Sequence, residues 1–150
     1  MEYNAISNLE QELLRVLKEE YSFYQSLYIL IDKQKDLIRF EKEEKLLDIY
    51  TEIERCQKRI NASEQKIAAL KQGNPKLFQL AATAPEVKKI AQSISTLIRK
   101  NINLVKENEE YATGKYLRVK EELQQLQKST KIVRYIKEAN ASPQFVDKKS

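Results

Sequence analysis

Histidine, the side chain that most often moves protons or holds zinc, is absent from this chain. What remains for chemistry is 22 carboxylates, 27 lysines and arginines, eight tyrosines and one thiol, Cys56. Paired Asp or Glu residues can do acid–base work in principle. Here the acids fall on the polar sides of helical patterns, where carboxylates chiefly solubilise. Cys56 by itself forms no disulfide within the chain, so nothing asks for an oxidising compartment. The residue types predict a protein that binds rather than catalyses.

The elements available to position these residues are helices. Gly occurs only twice and Pro three times, while charged residues make up 33% of the chain. Few turns and many charges point to one domain of long, exposed helices on a narrow core. No apolar run approaches the roughly 18 residues that span a bilayer, so stable membrane insertion is not expected. The start Met1-Glu2-Tyr3-Asn4 lacks the basic-then-apolar pattern of a signal peptide. A cytoplasmic location is expected, and Asn61-Ala62-Ser63 matches a glycosylation acceptor by chance.

The apolar spacing then divides the chain. Ile6, Leu9, Leu13, Val16, Phe23, Leu27, Leu30 and Leu37 form a heptad seam with two polar interruptions, Glu20 and Gln34. Two flanking stripes, Leu17-Tyr24-Ile31-Ile38 and Leu14-Tyr21-Tyr28, widen it beyond what one partner helix needs. Helix 1 is therefore expected to touch two helices, with Leu13, Leu17, Tyr24, Leu27 and Leu30 in the core. A second seam runs Leu46, Ile49, Ile53, Cys56, Ile60, Ser63, Ile67 and Leu70. Extending the first register would put Glu41, Glu44, Asp48 and Thr51 in the seam, so the chain must turn between about residues 39 and 45. An antiparallel hairpin follows.

Gly73-Asn74-Pro75 ends helix 2, with Gly suited to a left-handed cap and Pro barring continuation. The connector 76–82 carries Leu77, Phe78 and Leu80 to pin it across the bundle end. Thr83-Ala84-Pro85-Glu86 then matches a capping box that opens helix 3. Its seam, Val87, Ile90, Ile94, Leu97, Asn101, Leu104, Asn108 and Tyr111, resumes one residue out of phase as Ala112, Tyr116, Val119, Leu123, Leu126, Thr130 and Val133. Gly114 sits at this stutter, which a bend or a straight helix would equally satisfy.

The expected fold is all-α: an antiparallel helical hairpin plus a long third helix, an elongated three-helix bundle. Helices are expected near 5–39, 45–72 and 84–138, with residues 1–138 forming one domain and 139–150 a flexible C-terminal tail. Helices 1 and 2 would each be about 50 Å long, and helix 3 about 80 Å if continuous. Its last stretch would outrun its partners while still bearing an apolar stripe. An apolar stripe without a partner in its own chain marks a binding surface. Tyr116, Val119, Leu123, Leu126 and Val133, with Tyr135 beside them, are the expected substrate-binding residues.

Several segments carry a likeness. They are Leu17-Lys18-Glu19-Glu20-Tyr21-Ser22-Phe23-Tyr24-Gln25-Ser26-Leu27, then Lys35-Asp36-Leu37-Ile38 before the charged run 41–45 and Leu46-Leu47. Asn108 before a long helical segment reaching Tyr135, and the tail Ser142-Pro143-Gln144-Phe145-Val146-Asp147-Lys148-Lys149, extend it over nearly the full length. In these the chain resembles the FlgN family of flagellar type III export chaperones. The resemblance implies a cytosolic chaperone, monomer or dimer. It would hold the amphipathic C-terminal segment of hook–filament junction proteins and deliver them to an export gate component, without nucleotide or metal.

Charge leaves other readings open. Residues 73–150 carry 15 Lys and Arg against 8 Asp and Glu, a basic half that suits an acidic partner. Lys115, Arg118, Lys120, Lys128, Lys131, Arg134 and Lys137 alternate with the apolar stripe, as on a solvated amphipathic face, so nucleic acid is not the expected partner. The group Tyr21, Phe23, Tyr24 and Tyr28 reads as core before it reads as a ligand pocket. Asn101 and Asn108 either fix helix register or hydrogen-bond a bound peptide. The alternative to a chaperone is a structural coiled-coil scaffold or stalk component that self-associates through its open stripe.

Overall fold

A computed structural model describes residues 2–111, 124–128, 134 and 136. Its elements are α1 (Glu2–Arg39), α2 (Glu43–Gly73), α3 (Pro75–Ala82) and α4 (Pro85–Tyr111). No strand occurs among the described residues, and the architecture is an all-α bundle.

The hairpin turn falls where the two registers disagree, and its geometry shows how it is made without Gly or Pro. Glu41 N–H donates to the Ile38 carbonyl at 3.2 Å and Lys42 N–H to the Leu37 carbonyl at 2.9 Å. This pair of bonds is a Schellman ending, which satisfies the last carbonyls of α1. Its left-handed position is filled by Glu41, at φ 53°, where Gly would be the unstrained choice. α2 then starts at Glu43 with no side-chain cap from Lys42.

α1 is the middle of the bundle. α2 and α4 each pack along it, α3 packs mostly against it, and among the described residues α2 and α4 do not pack on each other. The wide apolar arc of α1 is what two such neighbours require. Leu13, Val16, Leu17, Tyr24, Leu27, Ile31 and Ile38 are buried in one cluster with Ile53, Ile60 and Ile67 of α2 and Val87, Ile94 and Ile98 of α4. Leu30, expected in the core, is only half-buried, because it sits at the edge between α1 and α2.

α2 runs antiparallel to α1: the Cys56 thiol donates to the Phe23 carbonyl at 3.1 Å, and Lys66 pairs with Glu19 at 3.6 Å. The break after α2 is the work of Asn74 rather than of a left-handed glycine. Gly73 is the last helical residue and stays out of the positive-φ region. Asn74 is extended at φ −156°, and its side chain accepts from Leu77 N–H at 3.2 Å, capping the next helix, in which Pro75 takes the first position. The connector is thus itself a helix, α3, anchored by buried Phe78, Ala81 and Ala82. Thr83 does not form the expected capping box: its hydroxyl turns back to the Leu80 carbonyl at 2.6 Å, closing α3, and α4 starts at Pro85.

The strain at Glu41 gives a direct test. Glu41→Gly is expected to stabilise the protein by about 1 kcal/mol, a rise of a few degrees in Tm. The measurement is thermal or urea unfolding; an unchanged or lower midpoint would show that the turn carries no such strain.

Candidate functional site

Of the six residues expected to bind substrate, Leu126 alone falls within the described residues; Tyr116, Val119, Leu123, Val133 and Tyr135 lie outside them. Leu126 is 2% exposed and belongs to the core cluster, as does Ile136. Its neighbour Gln125 donates from Nε2 to Asn61 Oδ1 of α2 at 2.9 Å. This contact decides the path of the chain. Asn61 lies between Cys56, which meets Phe23, and Glu64, which accepts from the Tyr24 hydroxyl at 3.4 Å. Asn101 stands at the same height, donating to the Tyr24 carbonyl at 3.3 Å. A straight helix would carry Gln125 about 36 Å beyond that level. The straight path, one of those the stutter left open, is therefore excluded, and the open stripe expected at Leu126 is corrected: that side chain is covered by its own chain.

Inside the bundle, polar side chains form a seam. Asn101 and Asn108, one heptad apart, donate to the Tyr24 and Ile31 carbonyls, also one heptad apart, at 3.3 and 3.1 Å. α4 therefore runs parallel to α1, and the asparagines serve register. Asn108 also donates to Gln34 Oε1 at 2.9 Å, which matches one of the two polar interruptions of α1. The other, Glu20, is fully buried, and neither carboxylate oxygen meets a donor among the described residues. Burial first, and the nearby Glu64 carboxylate second, push its pKa up to about 8, so it stays protonated in the fold at neutral pH.

A different surface is open. On the outer edge of the hairpin a groove of about 290 Å³ lies between α1 and α2, lined by Phe23, Ile29, Leu30 and Cys56 with Ser26, Glu52, Arg55 and Arg59. α1 supplies one wall because Phe23 and Leu30 sit at the margin of its apolar arc; α2 supplies the other from the solvent side of its seam. Ile29 stands 56% exposed at the rim, and Phe40 and Leu47 are exposed near the turn at 68% and 63%. The thiol at the base is unreactive by environment: burial raises Cys56 to about 11 against the opposing pull of Arg59.

The aromatic group divides between these regions. Tyr24 is core, Tyr21 and Phe23 are half-buried, and Tyr28 faces outward. Sequence reasoning missed the groove, although a signal was there: Ile29, Phe40 and Leu47 belong to none of the apolar stripes. Among the described residues there is no cluster of three side chains suited to a metal, and no helix is long and apolar enough to cross a membrane. Comparison with protein-family models, curated proteins and solved structures returns no match for the chain.

Two outcomes follow from this geometry. Leu126→Ala is expected to destabilise the whole bundle by about 2–5 kcal/mol, as buried Leu truncations do; an unmoved denaturation midpoint would return Leu126 to the surface. For Glu20, the unfolded chain releases its proton near 4.5 while the fold holds it to about 8. Stability should thus fall across that window as pH rises, by up to about 1.4 kcal/mol per unit. Glu20→Gln is expected to flatten this slope in pH-dependent urea titrations, and an identical slope in both proteins would refute the assignment.

Proposed function

We propose that this chain is a cytoplasmic export chaperone of the FlgN type, one that holds the amphipathic C-terminal segments of hook–filament junction proteins and passes them to an export gate component. The observation that carries the reading is the outer groove of the α1–α2 hairpin. It is apolar at its base, basic at its rim and lined by two helices, as a surface for a partner's helix would be. At about 290 Å³ it lies at the small end of cavities that take whole small molecules, and suits protein side chains better.

The sequence likeness adds support from the same region. The segment 17–27 that resembles the family lies on α1 and supplies Phe23 to the groove, and the segment 35–38 leads into the hairpin turn. The chaperone and scaffold readings both placed their contact on the C-terminal stripe, and because Leu126 is covered by its own chain, the contact surface is proposed at the hairpin groove instead.

Binding of a segment that orders on contact favours moderate affinity and a negative heat-capacity change, because association must offset the lost chain entropy. Calorimetry with the C-terminal segment of a hook–filament junction protein is expected to show a saturable complex with those properties. Heats no larger than those of an unrelated amphipathic peptide would overturn the reading.

A further inference from the structure

We propose that the α1–α2 groove takes an acidic amphipathic helix, which seats one large apolar side chain over Phe23, Leu30 and Cys56 and sets a carboxylate, one helical turn away, against Arg59. The apolar half follows from the lining: a recess of about 290 Å³ holds a side chain or two, and exposed Ile29 extends it along α1. The helical form follows from the walls. Two antiparallel helices expose side chains and no backbone edge, so a partner helix can lie between them while an added strand finds nothing to pair with.

The acidic half follows from the rim. Two arginines and one glutamate border the recess, and Glu52 is paired with Arg55 at 2.8 Å. Arg59 has no carboxylate within ion-pair reach among the described residues. Its planar guanidinium is suited to a carboxylate, which it can grip with two parallel hydrogen bonds. On the partner, residues three or four apart share a face about 5–6 Å apart, which sets the apolar anchor and the acid one turn from each other. A phosphate polymer or an anionic membrane would call for several unpaired bases together, and here Glu52 stands among them. That the segment comes from an exported protein rests on the chaperone reading; its chemistry does not.

The test uses the full chain and three labelled probes read by fluorescence anisotropy. Two are amphipathic peptides with one shared apolar face, flanked by Glu in one and Lys in the other; the third is the C-terminal segment of a junction protein. Arg59→Glu and Ile29→Asp change exposed residues and should leave Tm unaltered. The expected result is that the Glu peptide binds and the Lys peptide does not. Arg59→Glu should weaken the Glu peptide about tenfold or more and turn the preference toward Lys, and Ile29→Asp should weaken the Glu peptide without turning that preference. Failure of the Glu peptide to bind the unaltered chain, or equal binding to all variants, overturns the proposal. So does Arg59-dependent capture of anionic vesicles or single-stranded DNA in place of the Glu peptide. If the junction segment binds all variants alike, the groove is refuted while the chaperone reading stands. If the junction segment fails while the Glu peptide behaves as expected, the chaperone reading falls and the groove stands.

Discussion

The side-chain amides of Asn101 and Asn108 reach the backbone of α1 at two carbonyls one heptad apart, and the rest of the bundle is arranged around that pairing. A helix carbonyl keeps a second lone pair after serving its own turn, so it can accept such a bond without disrupting α1. Each bond contributes only about 1 kcal/mol, but a slip of one turn that took the two buried amides away from their acceptors would cost about 1–3 kcal/mol each. Register is therefore enforced more strongly than stability is raised. Because the pairing makes α4 parallel to α1, while α2 returns antiparallel, the chain must cross the bundle end between α2 and α4. The short helix α3 makes that crossing, held by Phe78, Ala81 and Ala82.

The two polar residues in the α1 seam show what a buried polar group needs. Gln34 is met by Asn108 and fits the interior. Glu20 meets no donor among the described residues and lies near a second carboxylate, so its interior position is tolerable only while it keeps its proton. Together with Asn101, Asn108 and Ser63 they make a core with an unusual share of polar surface. Such a core gives up some stability and gains a defined alignment, since apolar seams alone slide more readily. The single ionisable member of the seam makes that stability depend on pH.

Function, in this reading, lies on the opposite side of the hairpin from the seam. α4 packs on α1 and the crossing helix spans the bundle end, so no described element covers the outer edge of the hairpin, and the groove there is the margin of the α1 arc. Phe23 and Leu30 are half in the core and half available to a partner, so the same residues hold the hairpin together and line the recess. Surface ion pairs such as Glu52–Arg55 add little to stability at their exposure, but they decide which charge remains to meet a partner.

The sequence by itself determined the helices, the hairpin and most of the core. Helical period is a local property, and the phase mismatch between Leu37 and Leu46 required a turn whatever the tertiary context. Leu13, Leu17, Tyr24 and Leu27 are buried as their spacing predicts. Three matters were decided only in three dimensions. The turn residue was one, because a Schellman ending can place Glu41 in the left-handed region when α1 and α2 pack well enough to hold it there. The role of the asparagines was another, since the same amide would serve a bound peptide or a neighbouring backbone until the distance to Tyr24 is known. The last was the fate of the C-terminal stripe. Periodicity records that Leu126 faces something apolar, but a stripe carries no address, and only the contact between Gln125 and Asn61 shows that its own chain provides the cover.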